Sequence, residues 1–499
     1  MRFISFVLLA WLLTTDTVAE GPAFIVPAGQ RQLFLDGHGI KELDGLRRAM
    51  HQPHKLGAVI RPRYLDGKET SIQTRSGPQW DAERGVYRLW LITRECYESQ
   101  DGLHWTPTKT RPQVAVISAV IDPDDPDPER RYKGLVSRGG TREPVVSPDG
   151  IAWKKLEVAP IPSQDESNLS YDEVTRTFIA TVKHSGPYGR TVWLSTSKDF
   201  EKWTKPELIF HPDTEDQKLA KQVIARRISN PSLQKMFNID PEVYNVQVYN
   251  MGLFRYEGLY IGLPAMFHST GKLGTFNTDG FHIIQLTCSR DLRNWTRLGD
   301  RAAFIGPSPV GGGAFDLTQI LPPSRPVVRG DKLLFYYTGF KYRGRFNYVG
   351  KYPNGKMVPK IGLDPAIGAI CLAVLRRDGF ISLDAKEKQG YVLTSAFTRP
   401  VGRLHVNADI KQGGRLQIEL LNKDDQVIAT SKPLEGNQLR GGVEWPALAD
   451  QAYVGKTVRL KFTLTKGSLY SYWFAKTETA VGGTSRSGYR FSPSGNMMN

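Results

Sequence analysis

One turn, written five times, limits what this chain can fold into. "SQDGLHW" from Ser99, "SPDGIAW" from Ser147, "SKDFEKW" from Ser197 and "SRDLRNW" from Ser289 share Ser-x-Asp, with Trp four residues after the aspartate. "LRRDGFISL" around Asp378 is a degenerate fifth copy. Asp101, Asp149 and Asp199 follow one another at about 50 residues, the length of a four-stranded propeller blade. Asp291 and Asp378 come at longer intervals, because a polar insertion ("HPDTEDQKLAKQVIARRISNPSLQKMF") follows the third copy and another ("KYRGRFNYVGKYPNGKMVPKIG") precedes the fifth. Within each period, short β-branched and aromatic runs such as "GVYRLWLIT", "TFIATVKHS", "GLYIGLPAMF" and "DKLLFYYTGF" are separated by Gly, Pro and Asp, without sustained helical periodicity. The pattern predicts an all-β chain with a five-bladed β-propeller over residues 30–397. "FLDGHGI" near Leu35 is expected to close the ring or enter the first blade. In this reading the turn is scaffold: Asp and Gly meet the backbone demands of a tight hairpin, Ser and Asp side chains bond nearby N–H groups, and Trp packs on its blade or a neighbour.

After Thr398 the texture changes to alternating apolar and polar runs, "GRLHVNADIKQGGRLQIELL" and "GKTVRLKFTLTKGSLYSYWFA". They predict a small antiparallel β-sandwich over 400–475, and the Gly/Ser-rich tail 476–499 is expected to be disordered. At the other end, an apolar run from Phe3 to Leu13 followed by small residues at Thr17 and Ala19 reads as a signal peptide over 1–19, cut near Ala19. The run is shorter than the roughly 20 residues a membrane span needs. The expectation is a secreted or periplasmic protein with no membrane span.

The formal net charge of +16 favours acidic partners. No nucleic-acid-binding signature is present, so anionic glycans, sulfated or uronate-bearing, suit an exported protein better; a merely solubilising surface is the plain alternative. The three cysteines, Cys96, Cys288 and Cys371, lie in apolar contexts without metal-type spacing and read as small buried hydrophobes. No metal or cofactor is expected.

Blade repeat and sandwich together resemble secreted bacterial proteins similar to glycoside hydrolase families 32 and 43. The matching stretches are "RQLFLDG…GLRRAMHQPHK", "DPDDPDPERRYKG", "SPDGIAW", "STSKDFEKWTKPELI", "LRRDGFISLDA" and the terminal "LHVNA…GGRLQIELL…GKTVRLKF…LYSYWF". The resemblance implies a five-bladed β-propeller with a C-terminal β-sandwich that acts on or binds carbohydrate. The motifs that define family 32 enzymes, Asn-Asp-Pro-Asn-Gly, Arg-Asp-Pro and a functional Glu-Cys, are absent; Glu95-Cys96 falls in the first blade by coincidence.

In a propeller the innermost strands line a central channel, so the residues where they begin are the candidates for chemistry. These positions offer Glu69, Asp165 with Glu166, Asp240, Glu242 and Asp316, whereas the second blade offers only Arg111. Cleaving a glycosidic bond takes two carboxyl groups, one protonated and one ionised, and crowding of acids separates their pKa values. Asp165, Asp240 and Asp316 are the leading catalytic candidates. Asn168, Arg190, Tyr244, Gln247 and His268 are the candidates for holding sugar, and Arg190 with Lys183 and His184 for pairing with a sulfate or carboxylate. The expected function is hydrolysis of a poly- or oligosaccharide. The alternative is a non-catalytic carbohydrate-binding propeller; a sialidase is disfavoured, because it uses six blades.

Overall fold

The computed structural model describes residues 24–476 except 66–67, 70, 274–276, 344–347, 352, 354–356, 360–363 and 447–450. The expected signal peptide, and the expected tail beyond its first residue, lie outside the described residues. Among the described residues no helix is long and apolar enough to cross a membrane.

Five antiparallel sheets form the blades. Blade 1 is Gln79–Asp81, Val86–Leu91, Glu95–Ser99 and Thr106–Pro107. Blade 2 is Val116–Ile121, Tyr132–Arg138, Thr141–Ser147 and Lys154–Lys155, and blade 3 is Ser167–Asp172, Thr177–Gly186, Gly189–Ser197 and Glu207–Phe210. Blade 4 is Asn245–Tyr256, Leu259–Leu273, Thr287–Ser289 and Thr296–Arg297, with Asn277–Ile284 pairing beside the second strand. Blade 5 takes Gln319–Leu321, Lys332–Phe340 and Gly368–Arg376 from the end of the ring and its outer strand, His54–Ile60, from the beginning of the chain. The ring is therefore closed by "HKLGAVI". The first insertion carries the helix Thr214–Ser229, started by a reciprocal Asp213/Asp216 capping box.

Each seam between blades is a separate apolar layer, which is why the middle strands read as continuous apolar runs. Trp90, Val116, Tyr132 and Trp153 fill the seam of blades 1 and 2; Leu169, Phe178 and Phe200 fill that of blades 2 and 3. Tyr87, Leu89, Tyr336 and Leu372 join blade 5 back to blade 1. The repeated tryptophan seals these seams toward the preceding blade. Trp105 meets Tyr336 of blade 5 at 5.6 Å between ring centroids, and Trp153 meets Trp90 of blade 1 at 6.2 Å.

Four copies of the turn adopt one hydrogen-bonded form. In blade 2, Ser147 Oγ donates to Asp149 Oδ1 (3.0 Å), which accepts the N–H groups of Ile151 and Ala152 (both 2.8 Å), and Trp153 Nε1 donates to the Gly150 carbonyl (3.0 Å). The residue after the aspartate has positive φ in each of these four copies, including Phe200 (65°) and Leu292 (67°), where the fold imposes it on a side chain that disfavours it. Burial pushes the Asp149 carboxyl up, but the Ala152 and Ile151 N–H groups and the Ser147 hydroxyl hold it below its ordinary value. Asp149→Ala removes the acceptor of two backbone N–H groups, as loss of a helix cap does, and should lower stability by about 1 kcal/mol; an unchanged urea midpoint would contradict this.

The fifth copy departs from the form. Gly379 follows Asp378 (φ 61°), but the chain then leaves the ring for the sandwich. The sandwich is built on two long strands, Arg403–Leu421 and Thr457–Ala475, paired along their length with a register break between Ile410 and Arg415. Gln32–Leu33, Ile40–Asp44, Arg47–Met50, Ile381–Ala385 and Gly390–Thr394 join the same sheet. The segment around Leu35, expected in the ring, thus belongs with the sandwich, as do the strands of 381–394. Alternation explains the difference: Leu33 and Leu35 face the layer of blades 4 and 5, while Phe34 between them enters the sandwich core. The segment lies between two cores and looks, in sequence, like a strand of either.

Candidate functional site

The inner strands meet at Asn168. Its Nδ2 donates to the carbonyls of Arg75 before blade 1 (3.0 Å) and Pro322 in blade 5 (3.3 Å), and its Oδ1 accepts from Asn250 Nδ2 of blade 4 (3.0 Å). Ser118 of blade 2 adds a bond to the Leu169 carbonyl (3.3 Å) and one to Ser324 Oγ (2.9 Å). Five blades are tied at one point, which marks the axis.

Around this point lies a cluster richer in cations than in acids. Arg75, brought there by the stretch before the first blade strand, makes a two-pronged pair with Glu166 (2.5 and 2.8 Å). Lys183, on the second strand of blade 3, pairs with Asp165 (2.7 Å) and stands 3.7 Å from the ring centroid of Tyr249. Strand alternation puts Asn245, Gln247 and Tyr249 on one face of the blade 4 inner strand. Gln247 Oε1 accepts from Arg190 Nη1 at 3.0 Å. The Arg190 guanidinium lies 5.8 Å from Tyr249 and 5.7 Å from Phe267, and that of Arg343 5.6 and 4.2 Å from the same two rings. The His282 ring centroid is 4.8 Å from each of those two rings. Arg142 donates Nε to Ser167 Oγ (3.0 Å) and Nη1 to Ser137 Oγ (3.0 Å), and its buried Nη2 has no hydrogen-bond partner among the described residues.

The electrostatics follow from this crowding. Burial draws the Lys183 ammonium down to about 8, even though Glu166 and Asp165 support its charge. Burial, then Arg343, Lys183 and Arg190, keep the His282 imidazole well below its ordinary value, so it is neutral at pH 7. Burial raises the Asp165 carboxyl, but Lys183, Arg75 and Arg142 outweigh it and hold the group ionised. Burial, reinforced by Glu166 and Asp165, pushes the Tyr249 phenol up to about 12. Both carboxylates of the cluster are engaged, whereas Arg142, Arg190 and Arg343 have no carboxylate partner among the described residues. Unbalanced buried cations are costly, and an anion entering such a site is strongly favoured.

Of the candidate acids with described side chains, Asp165, at the exposed edge, and Glu166 lie in this cluster. Asp240 caps the turn Pro241–Val243, accepting the Glu242 N–H (3.2 Å), and Glu242 is exposed. Asp316 is buried against Lys55 (2.8 Å), Ser308 (3.0 Å) and Tyr337 (2.8 Å), in contact with the ring-closing strand. The side chain of Glu69 lies outside the described residues. Among the substrate-binding candidates, Arg190 and Gln247 belong to the cluster and Asn168 forms its floor. Tyr244 is half-buried beside Asp240, and His268 is stacked on Phe281 with burial drawing its imidazole down to about 4. Arg75, Arg142, Tyr249, Phe267, His282 and Arg343 were not foreseen from the sequence. Tyr249 alone had a signal, two residues beyond Gln247 on the same strand face.

No family model matches the chain, and no curated protein matches it. Solved structures similar to it include an N-acetylgalactosamine deacetylase from F. plautii in complex with blood group B trisaccharide (14% identity, TM-score 0.40, covering 67% of this chain and 97% of that one). A GH32 beta-fructofuranosidase from Bombyx mori (11%, 0.35, 84% and 96%) and a glycoside hydrolase family 43 arabinoxylan arabinofuranohydrolase from Bacillus subtilis (11%, 0.32, 85% and 96%) are also among them. At these scores the likenesses carry no argument about activity. The architecture rests on the chain's own sheet topology, which is that of a five-bladed β-propeller joined to a β-sandwich.

Proposed function

We propose that the protein is a carbohydrate-active propeller that binds an anionic glycan at the axial cluster. The observation that carries this reading is the meeting of Arg190 and Arg343 at the half-buried ring of Tyr249, with Arg142 beside Ser167 in the same cluster, none of the three with a carboxylate partner among the described residues. Guanidinium forks suit the oxygens of sulfate and carboxylate, and an aromatic face suits a sugar ring. Hydrolysis is the second reading, favoured by the neighbouring carboxylates Asp165 and Glu166. It is the weaker one, because a two-carboxylate mechanism needs a protonated donor, and Asp165 is held ionised while Glu166 gives both oxygens to Arg75.

The test is retention of the mature protein on immobilised sulfated or uronate-bearing polysaccharide, with reducing-sugar release measured in parallel. Retention without release is the expected result. Release abolished by Asp165→Asn would instead establish hydrolysis, and equal retention on neutral and charged polymers would refute the anionic reading. Binding should also depend on Lys183. Its folded value, about 8, means that the ammonium is present below that pH and is lost above it. Affinity should therefore fall as pH rises from 7 to 9, and the fall should be absent in Lys183→Met.

A further inference from the structure

The distribution of charge within the cluster narrows the ligand further, on the footing that an anionic glycan binds there. Two of the three arginines without a carboxylate partner, Arg190 and Arg343, stand together over Tyr249 and Phe267. His282 packs against the same two rings, and neither of its fully buried ring nitrogens has a hydrogen-bond partner among the described residues. A buried polar group without a partner carries a desolvation cost that a bound ligand relieves. Arg343 already gives Nε to the Thr278 carbonyl (2.6 Å) and Nη2 to Asn277 Oδ1 (2.8 Å), and Arg190 gives Nη1 to Gln247 Oε1 (3.0 Å), so the donors left for a ligand beside these two rings are the remaining guanidinium N–H groups and the single N–H of the neutral His282. A carboxylate offers two oxygens, whereas a sulfate ester offers three terminal ones. Arg142, beside Ser167, leaves a further uncompensated charge nearer Glu166. One carboxylate on the ligand would leave most of the excess positive charge unmet.

We infer that the glycan is a sulfated uronide, with its sulfate ester held by Arg190, Arg343 and His282 over Phe267 and a second negative charge attracted toward Arg142. Recognition of the sulfate leaves the rest of the cluster, Arg75–Glu166 and Lys183–Asp165, as the frame that fixes Tyr249 under the sugar.

Four probes separate the possibilities: chondroitin sulfate, chondroitin lacking sulfate, dextran sulfate and dextran. Binding of each to the mature protein would be measured by calorimetry at fixed salt. Chondroitin sulfate should bind about tenfold or more tightly than chondroitin, as expected for one added set of charge-assisted hydrogen bonds, and more tightly than dextran sulfate. Dextran should not bind. Arg190→Gln, at a half-exposed position that leaves the core intact, should remove the preference for sulfate while weak binding of chondroitin persists. His282→Gln, which keeps a donor, should retain part of the preference, and His282→Leu should lose it. Equal affinity for chondroitin and chondroitin sulfate would overturn the sulfate assignment and leave the anionic reading standing. Dextran sulfate binding as tightly as chondroitin sulfate, unaffected by Arg190→Gln, would show surface attraction only and overturn the assignment. No binding of any charged polymer would defeat the proposed function itself.

Discussion

Asp378→Ala should cost about 3–5 kcal/mol, the range for breaking a buried ion pair by removing one partner, and should split a single unfolding transition into two. The carboxylate is fully buried and accepts from four segments: Arg31 Nη1 (2.5 Å), the Tyr256 hydroxyl (2.6 Å), Ser471 Oγ (2.6 Å) and Asn407 Nδ2 (3.1 Å). Tyr256 belongs to blade 4, Ser471 and Asn407 to the long sandwich strands, and Arg31 to the segment between. Alanine leaves the Arg31 guanidinium, 3.7 Å over the Trp473 ring, buried without its anion. The same residue gives a pH signature. Burial pushes its carboxyl up, but Arg31, Arg377 and the hydroxyls of Ser471 and Tyr256 more than reverse this and bring it to about 2. A folded value below the unfolded one stabilises above the unfolded pKa. That contribution, full above about pH 4, is lost as pH falls to about 2. Urea midpoints measured between these limits should fall for the wild type and flatten in Asp378→Asn. Coincident wild-type and Asp378→Ala midpoints at pH 7 would defeat the argument.

Trp90→Ala should be comparably damaging, at about 3–5 kcal/mol for a fully buried aromatic. The ring fills the seam of blades 1 and 2, 5.9 Å from Tyr132 and 6.2 Å from Trp153, and its Nε1 donates to the Gly150 carbonyl (2.7 Å). A Cβ at Gly150 would come within 2.7 Å of the Trp90 ring, so the turn and the tryptophan are fitted to each other. Trp90→Phe keeps most of the packing and removes one of the two donors to that carbonyl, which retains Trp153 Nε1 (3.0 Å), and should cost about 1 kcal/mol. Thermal unfolding that ranks alanine and phenylalanine equally would show that the seam repacks freely.

The propeller was legible because four turns solve one local problem with the same residues, and local solutions repeat in sequence when they repeat in space. Ring closure was not, since His54–Ile60 completes a sheet whose other strands lie at the far end of the ring. The site was less legible still. Arg75 precedes the first strand of blade 1, Arg142 sits on the third strand of blade 2, Lys183 and Arg190 on the second and third strands of blade 3, and Arg343 follows the second strand of blade 5. Each reaches the axis from a different place in its repeat, so no spacing connects them. Blades contribute equivalently to the seams but not to the axis, where acids at equivalent strand starts do not converge. Asp240 shows why: the same sequence position that suggests chemistry also suits a carboxylate that caps a turn.

Closure by His54–Ile60 also governs the order in which the molecule can be assembled. A ribosome delivers that segment early, whereas its partner Gly368–Arg376 emerges only about 300 residues later, roughly 15–60 s at usual elongation rates. Throughout that interval the Leu56, Val59 and Ile60 side chains sit on an unpaired edge of the sort that joins other chains. Yield of native protein is accordingly decided by how well this early segment is shielded while it waits, and substitutions there should change yield more than they change the stability of the finished ring.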